Sequence, residues 1–145
     1  VAGLRAQATD LRDRRDSLAA MLADGLLSSS AVRTQAGRIT AELKEFSINL
    51  GRTSTAPGAV QFSVRNAGAV VHEFVVLDTD TPAANLPVVG AGIDESALTV
   101  VDEIEDIAVG ATQTLDVTLA AGHYAIICNI DGHYAAGMHS DLTVQ

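Results

Sequence analysis

The sequence predicts a mostly β protein, a Greek-key β-sandwich preceded by an α-helical hairpin. Three observations lead there. The hydrophobic period is helical up to Lys44 and changes to two beyond it. Short apolar, β-branched runs then follow one another, separated by turn residues at intervals of roughly 8–15 residues. Each of the two helical stretches carries a single apolar stripe, and the connection between them is short, the pattern of an antiparallel helix pair. The expected organisation is a helical hairpin extension over residues 1–44 and a β domain over residues 45–145.

Taken in order, Val1, Leu4, Ala8, Leu11, Leu18 and Leu22 recur at spacings of three, four and seven, with Arg and Asp between them. Gly25 offers a left-handed end to this helix, and Ser28, Ser29 and Ser30 offer N-cap oxygens for the next. Val32, Ala36, Ile39, Leu43 and Phe46 continue at helical spacing. Phe46, Ile48 and Leu50 also begin the alternation of period two. Val60, Phe62 and Val64 alternate in GAVQFSVRN, Asn66-Ala67-Gly68 reads as a turn, and VVHEFVVLD is rich in strand formers. Residues 79–99 hold two prolines, two glycines and small residues and read as a long irregular connection with a short helical turn. Val100 to Ile107 reads as a weak or edge strand. Leu115, Val117 and Leu119 alternate with polar residues from Thr112 onward, a half-buried strand. HYAIICN follows the Ala121-Gly122 turn, and Asp141 to Val144 closes the sheet.

Composition narrows the function classes. At 145 residues and 48% hydrophobic, the chain can bury a core. It contains no run of 18 or more apolar residues, the length a spanning helix needs, and no visible signal peptide, although its start is compatible with a removed leader or an upstream anchor. The net charge is −9. Residues 46–145 carry only Arg52 and Arg65 against twelve acids, a field that repels phosphates and opposes nucleic-acid binding. It suits a basic protein partner or simple solubility. The run Asp102-Glu103-Ile104-Glu105-Asp106 has the same two readings, a docking face or a solvated edge. One cysteine excludes a disulfide within the chain.

The chemistry lies in Cys128-Asn-Ile-Asp-Gly-His133-Tyr-Ala-Ala-Gly-Met138, between two expected strands. A lone cysteine is ordinarily a small buried hydrophobe. Here a thiol, an imidazole and a thioether share one loop, a donor set that both Cu(I) and Cu(II) accept. Two histidines, one cysteine and a weak axial methionine suit one-electron transfer, and the second histidine has to come from elsewhere. His72 is the natural candidate, because a histidine in a core strand needs a partner. Met138 reads either as that axial ligand or as a core side chain. His123 reads as a loop-end residue, His139 as facing away from the site, Asp131 as a solvated turn residue and Tyr134 as packing beside the site.

This pattern resembles the cupredoxins, the type 1 (blue) copper proteins of the plastocyanin, azurin, auracyanin and rusticyanin kind, over about residues 42–145. The Cys-x4-His-x4-Met spacing is closer to the auracyanin and rusticyanin type. The resemblance implies one copper per chain, cycling between Cu(I) and Cu(II), with His72, Cys128, His133 and Met138 as metal ligands. It implies a single-electron carrier between protein partners outside the cytoplasm, and not an enzyme. Copper handling without sustained redox cycling is the alternative. An oxidase or nitrite reductase needs a second copper site, and only four histidines are present. One departure is Glu73, where plastocyanin and azurin have an asparagine tying the ligand loops together; Asn129 or a backbone group is expected to make that tie. The other is the helical extension, for which self-packing, oligomerisation and a stalk to an anchor are all open.

Overall fold

The computed structural model describes residues 37–145, and Gly37–Gln145 forms one compact unit. Its elements are β1 (Arg38–Lys44), β2 (Ser47–Leu50), β3 (Ser54–Thr55), β4 (Gly58–Asn66), β5 (His72–Asp78), β6 (Val88–Val89), β7 (Gly92–Ile93), β8 (Thr99–Ile107), β9 (Thr112–Leu119), β10 (Gly122–Ile127), the four-residue helix α1 (His133–Ala136) and β11 (His139–Val144). One sheet has the order β2-β1-β4-β9 and the other β3-β11-β10-β5-β8. β1 with β4 and β3 with β11 are parallel pairs; the other pairs within the two sheets are antiparallel. The expected β-sandwich is present.

The expected second helix is corrected at its C-terminal end, since Arg38–Lys44 is a strand that pairs with β2 and β4. Ile39 and Leu43 are four residues apart, a spacing that satisfies both a helix and a strand. The deciding residue is Ala41, which is buried with them in strict alternation. The remainder of the expected helical hairpin lies outside the described residues. Residues 79–99 form two 3-10 turns, Ala83–Asn85 and Glu95–Ala97, around the small β6–β7 ribbon.

The core has two parts. Between the sheets lie Ile39, Leu43, Phe62, Val64, Phe74, Val76, Leu119, Tyr124, Ile126 and Leu142. The outer face of the second sheet carries Val75, Leu77, Ala125 and Ile127, covered by Leu86, Ile93 and Tyr134. β5 and β10 are thus buried on both faces, which explains why FVVL and YAII are unbroken apolar runs rather than alternating ones.

Candidate metal centre

Strand parity and register bring His72 and Cys128 together. β5 and β10 run antiparallel with Val75 opposite Ile127, so the beginning of β5 lies beside the end of β10. Phe74 and Val76 face the space between the sheets, and so do Tyr124, Ile126 and Cys128. His72 continues the β5 series by two. Both His72 and Cys128 are fully buried.

The loop after β10 delivers the next two residues. Gly132 at φ 83° turns the chain into α1, and Gly137 at φ 124° ends it; these left-handed conformations suit glycine. His133 opens α1. The Cys128 N–H donates to the Met138 carbonyl and the Met138 N–H to the His133 carbonyl, both at 3.1 Å, which closes the loop on itself. Met138 is fully buried in the same cluster as Cys128.

Three donor atoms converge. Cys128 Sγ lies 3.4 Å from His133 Nδ1 and 3.8 Å from His72 Nδ1, and the two Nδ1 atoms are 3.2 Å apart. The imidazole planes meet at 62° with centroids 5.0 Å apart. Among the described residues this trio is the one group of three or more His, Cys, Asp or Glu side chains placed to hold a metal ion. A thiol with two imidazoles and a buried thioether in the closing loop is a donor set that fits copper in both oxidation states.

The surroundings fix these side chains. Glu45, in the β1–β2 turn, accepts from His72 Nε2 at 2.6 Å, which leaves Nδ1 as the ring nitrogen facing the thiol. The Glu73 N–H donates to Cys128 Sγ at 3.2 Å. Asn129 Oδ1 accepts from the Ile93 N–H at 2.8 Å, while its Nδ2 donates to the Ile93 carbonyl and to Glu95, so the ligand loop is fastened to β7. The tie between the two ligand segments is thus made by the backbone N–H of Glu73, whereas the Asn129 side chain ties the ligand loop to β7 and Glu95. Phe46, about half exposed, sets its ring edge-on to His133 at 5.2 Å. Tyr134 is buried beside the site, donating to the Ala83 carbonyl and accepting from the Leu86 N–H.

Electrostatics follow from burial and these bonds. Burial pushes the Cys128 thiol up, opposed by the N–H groups of Glu73 and Ile130. Burial and then the charge of His72 pull His133 down, against Glu45. Glu45 lies below its usual range, chiefly through the Ala69 N–H, with burial opposing and His72 assisting. Burial raises Glu73, with the neighbouring carboxylates Glu95, Glu103 and Glu105 adding to it.

Of the other sequence candidates, His123 bridges the Thr79 carbonyl and Asp141, and the His139 ring packs on Tyr134 at 5.2 Å. Asp131 is exposed, as a turn residue should be. Phe46 leaves the apolar face it shares in sequence with Ile48 and turns to His133 instead. Glu45 is the residue sequence reasoning missed. Its partner is 27 residues away, and no local spacing links them.

A family model described as the sulfocyanin (SoxE) domain matches residues 52–145, well over half of the chain. The chain is a cupredoxin of the sulfocyanin family. Cupredoxins bind one copper, and His72, Cys128 and His133 form the candidate metal group here. No curated protein sequence matches the chain. Among solved structures, the cupredoxin is similar to auracyanin A of Chloroflexus aurantiacus, described as a "blue" copper protein, at 26% identity and TM-score 0.50, covering 75% of this chain and all of that one. Rusticyanin of Thiobacillus ferrooxidans is 24% identical, with TM-score 0.54 over 74% of this chain and 76% of its own. Auracyanin of Roseiflexus castenholzii is 19% identical, with TM-score 0.52 over 74% and 94%. The last two likenesses speak to the fold alone.

Proposed function

We propose that this cupredoxin is a single-electron carrier whose copper is held by His72, Cys128 and His133, with Met138 as a weak axial ligand. The observation that carries the reading is the convergence of His72 Nδ1, His133 Nδ1 and Cys128 Sγ at the meeting of β5 with the β10–β11 loop. Bound there, copper supplies a one-electron change between Cu(I) and Cu(II). The chain's part is to hold the ligands still. His72 opens β5 and Cys128 directly follows β10, two strands buried on both faces, and the loop is closed by its own backbone bonds, so little has to move on reduction. His133 is the least buried of the four and is flanked by the exposed Ala135 and Ala136, which supports electron passage at that edge and brief docking of a partner over a small apolar face. With two cations against twelve acids over residues 46–145, the partner's docking surface is expected to be basic.

The same reading makes the chain a carrier rather than an enzyme. His123 and His139 are engaged by Asp141 and Tyr134 respectively, away from the trio, which supports one copper per chain. Its proposed location, by family resemblance, is outside the cytoplasm. Among the described residues no helix is long and apolar enough to cross a membrane. Voltammetry of the copper-loaded protein tests the proposal. A stable, reversible one-electron couple with slow loss of copper to chelators is expected. Rapid stripping without a stable couple makes the protein a copper handler instead, and two coppers per chain make it a candidate enzyme.

A further inference from the structure

The carboxylate of Glu45 sits in a pocket built for it. Its oxygens accept from the Ala69 N–H at 2.8 and 3.0 Å, from the Val70 N–H at 3.3 Å and from His72 Nε2 at 2.6 Å. Gly68 leaves the space: a Cβ there would stand 2.2 Å from Glu45 Oε2. Asn66, fully buried, shapes the loop that presents those N–H groups. Its Nδ2 donates to the carbonyls of Val70 and Ile107, and its Oδ1 accepts from the Gly68 N–H. Two segments distant in sequence are therefore fitted to one carboxylate, and that carboxylate touches a candidate copper ligand. Glu45 itself stands in the β1–β2 turn, outside the stretch 52–145 matched by the family model.

We propose that Glu45 is a positioning residue of the copper site: its carboxylate holds His72 with Nδ1 toward the metal and lends the site negative charge that favours the oxidised ion. The inference rests on the copper reading above. A carboxylate bonded to the far nitrogen of a ligating imidazole fixes the tautomer and makes the ligand more basic. A more basic, more negative ligand set stabilises Cu(II) relative to Cu(I) and lowers the reduction potential.

Two variants and two readouts test it. Glu45→Gln keeps the shape and removes the charge, whereas Gly68→Ala keeps the charge and displaces the carboxylate. Both are expected to keep the visible absorption of the oxidised protein. Both should raise the Cu(I):Cu(II) ratio at a fixed potential at least tenfold, a shift of about +59 mV for one electron. Potentials unchanged from wild type in either folded variant overturn the proposal. The second readout needs no copper. Nitrogen-15 NMR of the metal-free wild-type chain should show the His72 proton on Nε2, and a proton on Nδ1 overturns the proposal. If the wild-type chain fails to form the copper site, the electron-carrier reading falls, and the metal-free spectrum still decides whether Glu45 holds His72.

Discussion

Met138 is fully buried and closes the ligand loop through its backbone, so it has two separable contributions. Met138→Leu conserves volume and loses the thioether. Because an axial bond of this kind is weak, copper should still bind one per chain, with a raised reduction potential and an altered spectrum. Loss of copper binding in a folded Met138→Leu protein would assign the methionine a stronger role. Asn66 shows how costly a buried polar residue becomes when its partners are orphaned. Asn66→Ala leaves two carbonyls and an N–H without their bonds, and urea unfolding should record a loss on the order of 3 kcal/mol. Cys128, His133 and Met138 could be picked out of the sequence because they share one loop, and His72 because a core strand rarely carries an unpartnered histidine. Glu45 could not, because its partners are brought to it only by the pairing of β1 with β4, and Asn66 could be read only as a turn residue, because its bond to Ile107 depends on the pairing of β5 with β8.

At the scale of elements, the segment from Thr79 to Leu86 is fastened to the second sheet by a short chain of bonds. His123 Nδ1 donates to the Thr79 carbonyl at 2.5 Å and Nε2 to Asp141 at 2.8 Å, and Asp141 also accepts from the Ala83 N–H at 2.7 Å. Burial works against a charged His123, but the Thr79 carbonyl and Asp141 outweigh it and raise its pKa. Asp141 is lowered: burial opposes, and the Ala83 N–H and His123 prevail. The histidine's stabilisation is complete below its unfolded value of about 6.5 and is lost as pH rises through the folded value. The aspartate's is complete above about 3.9 and is lost as pH falls through its folded value. The pair therefore stabilises most between those limits, by under about 1 kcal/mol given its exposure. His123→Gln should flatten the change in melting temperature between weakly acidic and alkaline pH; an unchanged profile would remove His123 from the account. Element type was legible wherever the period was unambiguous, as from Thr112 to Leu119. It was misread from Arg38 to Lys44, where Ile39 and Leu43 fit two periods and the burial of Ala41 between them, on a strand paired with β4, decides.

For the described unit as a whole, stability rests on the core between the sheets, where Phe62 and Phe74 pack with ring centroids 5.2 Å apart. Phe62→Ala should cost about 3–5 kcal/mol in denaturant unfolding, and a loss below about 1 kcal/mol would mean that this contact is not central. The acidic run stands on β8, the edge strand of its sheet, where charge also guards against strand-to-strand association. If it steers a cationic partner as well, electron exchange with that partner should slow as salt rises, whereas a rate independent of salt leaves edge protection as its role. The most direct measurement on the molecule is a copper(II) titration followed by optical and EPR spectroscopy, with Cys128→Ser in parallel. The wild-type chain should develop an intense visible thiolate-to-copper band that stops growing at one copper per chain, and the variant should lack it. A colourless copper-loaded protein, with Cys128→Ser binding copper equally well, would contradict the site.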